Sequence, residues 1–351
     1  MVIKSKNKMK KKTALVTGST GQDGSYLCDF LLKKNYRVIA ADRRSARGNN
    51  WRHEYLQIQN KVKYEDFDLT DINSILRLFK IYKIDEFYNL AAQSFVGSSF
   101  KVPLVTCDVT GMSVLRILDM IKNYQPKTKF YQASSSEMFG KTSTKLQDEN
   151  TTLYPRSPYG VAKVFGHLIT KNYRESYNLF ACSGILFNHE SPLRGEEFVT
   201  KKIVENLVKI KLNKLNFFEL GNIYSKRDWG YAKDYVEAMW KMLQQKKPND
   251  YVICTSKEYS IKSFVNLVCK KLKINTRWTG KGLNEKLIDL DKGKILIKIS
   301  KKYYRPAEVD YLRGSYKKAY KNLKWKPKTN LNNLISKMIN FELSKNSNFI
   351  N

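Results

Sequence analysis

Tyr159 and Lys163 stand four residues apart, with Ser135 and Glu137 a little earlier in the chain. On a helix, side chains at i and i+4 share a face, so this pair sets an ammonium beside a phenol. A neighbouring positive charge favours phenolate. That predicts a lowered pKa for Tyr159 and a base able to act near neutral pH. Ser135 offers a hydroxyl to the same substrate oxygen. Glu137 adds a carboxyl that simple alcohol oxidation does not need. A Y-x-x-x-K spacing is common by chance and also fits an ordinary exposed helix pair, so the surrounding elements must decide.

Those elements begin at Thr13–Thr17, a β-rich apolar run followed by Gly18, Thr20, Gly21, Gln22, Asp23 and Gly24. An amphipathic stretch over residues 25–34 and a second strand over 36–41 complete a βαβ dinucleotide-binding unit. Gly18 permits the tight turn, Gly21 lets backbone approach a pyrophosphate, and Gly24 allows close helix packing. The helix N-terminus then faces the phosphate charge. The second strand ends in Asp42, Arg43 and Arg44. An acid there usually binds the adenine ribose of NAD, whereas arginines accommodate the 2′-phosphate of NADP, so the local chemistry admits both. Further strands are expected over 62–67, 86–90 and 130–134. The first leads to Asp68 and Leu69 beside the adenine. The second ends in Leu90, Ala91, Ala92, Gln93 and Ser94, small residues that suit close passage past a cofactor. The third delivers Ser135 and Glu137 to the C-terminal sheet edge, where open α/β sheets bind ligands.

Together these residues resemble the extended short-chain dehydrogenase/reductase superfamily. Within it, five segments in register resemble the GDP-mannose 4,6-dehydratase family over roughly residues 13–340: 155–159 (PRSPY), 188–192 (NHESP), 195–200 (GEEFVT), 226–230 (KRDWG) and 305–308 (RPAE). Epimerases of the superfamily carry a small apolar residue where Glu137 stands, and the dTDP-glucose dehydratases have Thr-Asp-Glu where this chain has Ser135-Ser136-Glu137. GDP-mannose dehydratases typically have Thr-Ser-Glu, so Ser135 departs from the pattern but keeps the hydroxyl. Asp42 is a second departure.

The resemblance implies a lyase on a Rossmann-type doubly wound parallel sheet with a smaller C-terminal α/β substrate lobe. It would act on GDP-mannose with NADP, NAD being less favoured because of Arg43 and Arg44. It further implies a hydride cycle in which Tyr159, Lys163 and Ser135 oxidise C4 and Glu137 takes the C5 proton. His189 and Arg194 fall at cofactor contacts, together with Tyr159 and Lys163. Asn188, Lys202, Arg227, Arg305 and Glu308 fall at contacts to the GDP-sugar, with Ser94 serving both ligands. A homodimer or homotetramer is implied, with residues 43–50 a candidate contact to a neighbouring subunit's cofactor. So is a place in GDP-fucose or GDP-rhamnose biosynthesis. The competing readings are another sugar-nucleotide dehydratase or epimerase on this fold, and a catalytically silent basic binding protein.

The 351 residues suffice for one α/β domain and a smaller lobe. Residues 1–12 read as a flexible basic arm and 13–187 mainly as the NADP-binding domain. Residues 188–345 read mainly as the sugar-nucleotide lobe, interleaved with that domain. No internal repeat and no membrane-length apolar run is present. The five scattered cysteines, Cys28, Cys107, Cys182, Cys254 and Cys269, read as reduced thiols in a cytoplasmic protein and not as metal ligands. A net charge of +32 suits an anionic partner. The lysines are spread along the whole chain and no nucleic-acid motif accompanies them. Compositional bias, together with a doubly anionic substrate and cofactor, is therefore favoured over a specific nucleic-acid partner.

Overall fold

In the computed structural model, residues 11–45, 48–304, 307, 309 and 311–347 are described. Most of the basic arm, residues 1–10, lies outside them. The cofactor half is built on β1 (Thr13–Thr17), β2 (Arg37–Asp42), β3 (Lys63–Asp66), β4 (Glu86–Asn89), β5 (Lys129–Ser135) and β6 (Ala181–Leu186). With the Tyr251–Ile253 strand they form one seven-stranded parallel sheet. The order runs from Tyr251–Ile253 through β6, β5, β4 and β1 to β2 and β3. Because β1 pairs with β2 on one side and β4 on the other, the chain direction reverses at its C-terminal end. This is the switch point at which such sheets hold ligands.

Strands of a parallel sheet are buried on both faces, and β1 follows that rule. Ala14 and Val16 pack with Leu27, Val38, Tyr131, Tyr235 and Trp325. Leu15, between them, packs on the other face with Ile39, Phe87, Ile117 and Phe130. The expected doubly wound α/β architecture is therefore present. The first helix, Gln22–Lys33, begins three residues earlier than its amphipathic pattern suggests, because Gly21 already serves as its N-cap.

The smaller lobe has its own core, in which Ile203, Leu207, Phe264, Val268, Leu287, Ile297 and Leu334 meet. Its sheet joins an antiparallel run, Thr276–Thr279, Lys286–Asp289 and Ile295–Ile299, to a parallel partner at Phe218–Leu220. The chain interleaves the two cores. The Tyr251–Ile253 strand and Trp325 return to the large domain after the lobe has begun.

Candidate active site

One cleft of about 2190 Å³ runs along the C-terminal edge of the large sheet and under the lobe. A pocket for one drug-sized ligand spans roughly 300–1,000 Å³, so this cleft has room for two nucleotides. Every site residue named from the sequence lines it, except Arg305 and Glu308, which lie outside the described residues.

At one end lies the glycine turn. Gly18 has φ +65°, and a Cβ there would stand 2.9 Å from the Ala91 backbone. A Cβ on Gly24 would collide with the Gly18 carbonyl and the Ser19 Cα. The turn, the following helix and the strip after β4 can thus approach only because these positions are bare. The helix start beyond them leaves backbone N–H groups for an anion. A dinucleotide pyrophosphate fits this cradle.

The side chains of Gln22 and Asp23 are turned to another task. Gln22 donates to the His189 carbonyl at 3.1 Å and accepts from Ser191 Oγ at 2.7 Å. Asp23 pairs with His189 Nε2 at 2.7 Å, while His189 Nδ1 faces the Phe187 carbonyl at 2.7 Å. Both ring nitrogens therefore act as donors. Burial alone would push His189 down, but the Asp23 carboxylate holds it above its ordinary pKa. The ring also stacks on Tyr235 at 4.7 Å between centroids. His189 lines the cleft, and its ring nitrogens tie residues 187–191 to the glycine helix. Arg194 lies 3.5 Å over the Phe198 ring, with its Nε 3.2 Å from Glu190.

At the centre of the cleft, β5 ends on Ser135, whose hydroxyl caps the short Ser136–Met138 turn by accepting from Glu137 N at 3.2 Å. The Pro158–Tyr177 helix is begun by Ser157, which accepts from Gly160 N at 3.0 Å, and by Pro158 in the first turn. A Cβ on Gly160 would lie 3.0 Å from the Glu137 carbonyl, so the helix start and the Glu137 turn are in direct contact. Ser135 and Glu137 both lie close enough to the Tyr159 phenol to act on its ionisation. Lys163 Nζ lies 5.7 Å from the Tyr159 ring centre and donates to the Ala133 carbonyl at 2.7 Å.

The electrostatics correct one expectation. Burial pushes the Tyr159 phenol up to about 12, with the Ser135 hydrogen bond lowering it and the Glu137 charge raising it. Burial also brings Lys163 down to about 8. In the free chain, desolvation dominates at the phenol, and the cation whose charge lowers it is Arg194.

On the lobe side, Lys202 sits 3.6 Å over the Tyr303 ring, and Arg227 is buried, donating to the Lys226 carbonyl at 2.9 Å. Asn188 accepts from Gly230 N at 2.9 Å, which holds the start of the 188–192 segment in place. Two cleft residues not named as site residues from the sequence are Arg52, in the short helix Trp51–Tyr55, and Phe198, inside the 195–200 segment. Among the described residues, no group of three or more His, Cys, Asp or Glu could hold a metal. No described helix is long and apolar enough to cross a membrane.

Fold and cleft define a Rossmann-type α/β protein with a ligand site at the switch point of its parallel sheet. Solved relatives of the same fold include a dTDP-glucose 4,6-dehydratase from Bacillus anthracis in complex with NAD (TM-score 0.79, 19% identity, 96% of this chain and 98% of that one). Another is RMD from Pseudomonas aeruginosa complexed with NADPH (TM-score 0.75, 19% identity, 95% and 100%). Sequence similarity is far higher to one branch. The GDP-mannose 4,6 dehydratase family profile matches residues 15–338. The Drosophila melanogaster GDP-mannose 4,6 dehydratase is 46% identical over 340 residues, covering 95% of this chain and 86% of that protein. The human enzyme is 46% identical (95% and 92%) and that of Vibrio cholerae serotype O1 43% (96% and 95%). The chain belongs to the GDP-mannose 4,6 dehydratase family.

Proposed function

We propose that this chain converts GDP-α-D-mannose to GDP-4-dehydro-6-deoxy-α-D-mannose and water. The observation that carries the reading is Glu137 placed beside Tyr159, with Ser135 and Lys163, in a cleft shared by the glycine turn and the lobe. A nicotinamide dinucleotide held at the glycine turn would supply a hydride store for hydrogen moving from C4 to C6. Tyr159, as phenolate, takes the O4 proton while Ser135 hydrogen-bonds the same oxygen. Lys163 favours the phenolate and reaches the cofactor's ribose. The new C4 carbonyl acidifies C5–H, and Glu137 removes that proton. The protonated Glu137 then assists departure of the C6 hydroxyl as water. Hydrogen would return to C6, and C5 would take up a proton equivalent to the one Tyr159 accepted from O4, so the sugar loses one water with no net redox change. A buried site suits this cycle, because leakage of the intermediate would leave the store reduced.

NADP is the proposed cofactor. Arg43 and Arg44 are exposed along the cleft mouth, where guanidinium forks match a 2′-phosphate. Asp68, held below its ordinary pKa by Thr70 hydrogen bonds, and Leu69 flank the adenine end. Arg227 and Lys202 would meet the GDP phosphates. A homo-oligomer is supported by apolar side chains left outside. Leu104 is 84% exposed, and Val105, Val161 and Leu168 are also exposed on neighbouring helices. The product is a precursor of GDP-fucose or GDP-rhamnose, and buried thiols suit a reducing cytoplasm. Incubating the protein with GDP-mannose and catalytic NADP⁺, followed by mass spectrometry, tests the reading. A product one water lighter without accumulating NADPH is expected. Water loss only from another nucleotide sugar would overturn the substrate, and no reaction with any sugar would favour a silent binding protein.

A further inference from the structure

The acid at the end of β2 is the residue of this cleft whose placement departs most from its usual role. In NAD-binding folds it reaches the adenine ribose. Here the Oδ2 of Asp42 points back to the glycine turn. It accepts from the Ser19 hydroxyl and from Thr20 N, the latter at 3.0 Å.

The same two turn residues are held from the opposite side by consecutive residues of the short Trp51–Tyr55 helix. Arg52 Nη1 donates to the Thr20 carbonyl at 3.1 Å, and its Nε donates to the Leu193 carbonyl at 2.8 Å. His53 is fully buried, and its Nε2 faces the Ser19 carbonyl at 2.9 Å, so that nitrogen carries the hydrogen. Its Nδ1 then accepts from Tyr64 Oη at 2.7 Å. Between them, Asp42, Arg52 and His53 engage both carbonyls of Ser19–Thr20, the Thr20 N–H and the Ser19 hydroxyl.

This has a consequence for ligand recognition. Gly21 N is already bonded to Gly18 O at 3.1 Å. With Thr20 N–H given to Asp42, the turn offers phosphate the N–H groups of its helix start. Burial pushes Asp42 up to about 6, with the Ser19 and Thr20 hydrogen bonds lowering it. Arg43 and Arg44, the next two residues, remain exposed at that mouth.

Resting on the nicotinamide dinucleotide reading of the cleft, we propose that Asp42 is a positioning residue. With Arg52 and His53 it braces the glycine turn, and the choice between phosphorylated and unphosphorylated dinucleotide falls to Arg43 and Arg44. Asp42 is thereby compatible with NADP, although its position in the sequence is that of an NAD determinant.

Calorimetric titration of the purified, cofactor-free protein with NADP⁺ and with NAD⁺ tests this without recourse to turnover. Asp42→Ala removes two hydrogen bonds to a carboxylate and should weaken both dinucleotides about tenfold, leaving their affinity ratio unchanged. Asp42→Asn keeps an acceptor for Thr20 N–H and should recover most of the loss for both. Arg52→Ala should repeat the parallel loss, and it decides the matter if Asp42→Ala does not fold. Arg43→Ala with Arg44→Ala should weaken NADP⁺ alone. If Asp42→Ala weakens NAD⁺ alone, strengthens NADP⁺, or changes neither, Asp42 is not a brace and the assignment is overturned. If the double arginine variant leaves the ratio unmoved, the NADP preference fails, while the role of Asp42 is still decided by its own arm.

Discussion

The two sides of the cleft place their functional groups by different means. On the cofactor side, position is set by backbone. Bare α-carbons at Gly18 and Gly24 bring turn, helix and strand end together, and buried polar side chains fix them there. A short chain of buried hydrogen bonds continues the frame. Thr17 donates to Asn89, and Asn89 to Gln132, both at 2.8 Å under the floor of the site. On the lobe side, long cationic side chains are aimed by what their stems and heads lie against, Lys202 by Tyr303 and Arg227 by the Lys226 carbonyl. The first arrangement is rigid and suits chemistry that demands fixed distances. The second suits recognition of phosphates, where a charge tolerates small displacements.

Substitutions on the two sides should therefore fail differently. Tyr159→Phe should lower kcat about 10³–10⁴-fold while GDP-mannose affinity, measured by titration, is kept. A comparable loss of affinity would blur the distinction between the sides. Glu137→Gln should lower product formation about 10²–10³-fold yet still permit C4 oxidation. Absorbance of reduced nicotinamide should then appear and persist without water loss. Arg227→Ala and Lys202→Ala should raise KM more than they lower kcat, by about 10-fold each. Steady-state kinetics with GDP-mannose would separate these from the first two.

The lobe has one place where placement by side chains reaches into its core. Lys201 and Glu342 are buried together, and Lys201 also donates to the Pro192 carbonyl at 3.1 Å. Removing one partner strands a buried charge, so Lys201→Met should destabilise by about 3–5 kcal/mol, read by denaturant unfolding. Replacing both partners with apolar residues should restore much of the loss.

The smallest effect concerns pH. Asp228, fully buried beside Arg227, accepts from the Thr255 N–H at 2.8 Å and hydroxyl at 2.6 Å, and burial pushes it up to about 6. A carboxyl raised in the folded chain stabilises it below the ordinary aspartate pKa of 3.8, and that contribution is lost as pH rises through 6. Asp228→Asn, which cannot ionise, should gain on the parent protein between pH 5 and 7. Thermal scans at the two ends of that range should differ by about 2 °C or more in its favour. No gain would mean that the paired hydroxyl and N–H already offset the buried charge.

Much of the cofactor side was legible in the chain itself, because glycines at a strand–helix junction state a backbone requirement directly. The Y-x-x-x-K spacing likewise translated into a shared helix face. Two things were not legible. The phenol's pKa depends first on burial, which no spacing reports. The direction in which Asp42 points depends on Ser19 and Thr20, which its position in the strand does not report. The lobe residues Lys202 and Arg227 are ordinary cations in a chain with 64 lysines and arginines. Only their motifs singled them out, since stacking on Tyr303 or burial beside the Lys226 carbonyl is a tertiary fact.

The central claim is that one cleft oxidises C4, eliminates water across C5 and C6, and returns the same hydrogen to C6. GDP-mannose deuterated at C4, turned over in ordinary water with a catalytic amount of NADP⁺, tests it most directly. The account predicts a 4-keto-6-deoxy product that carries the deuterium at C6. Deuterium lost to the solvent, or trapped on the nicotinamide with no 6-deoxy product, would contradict it.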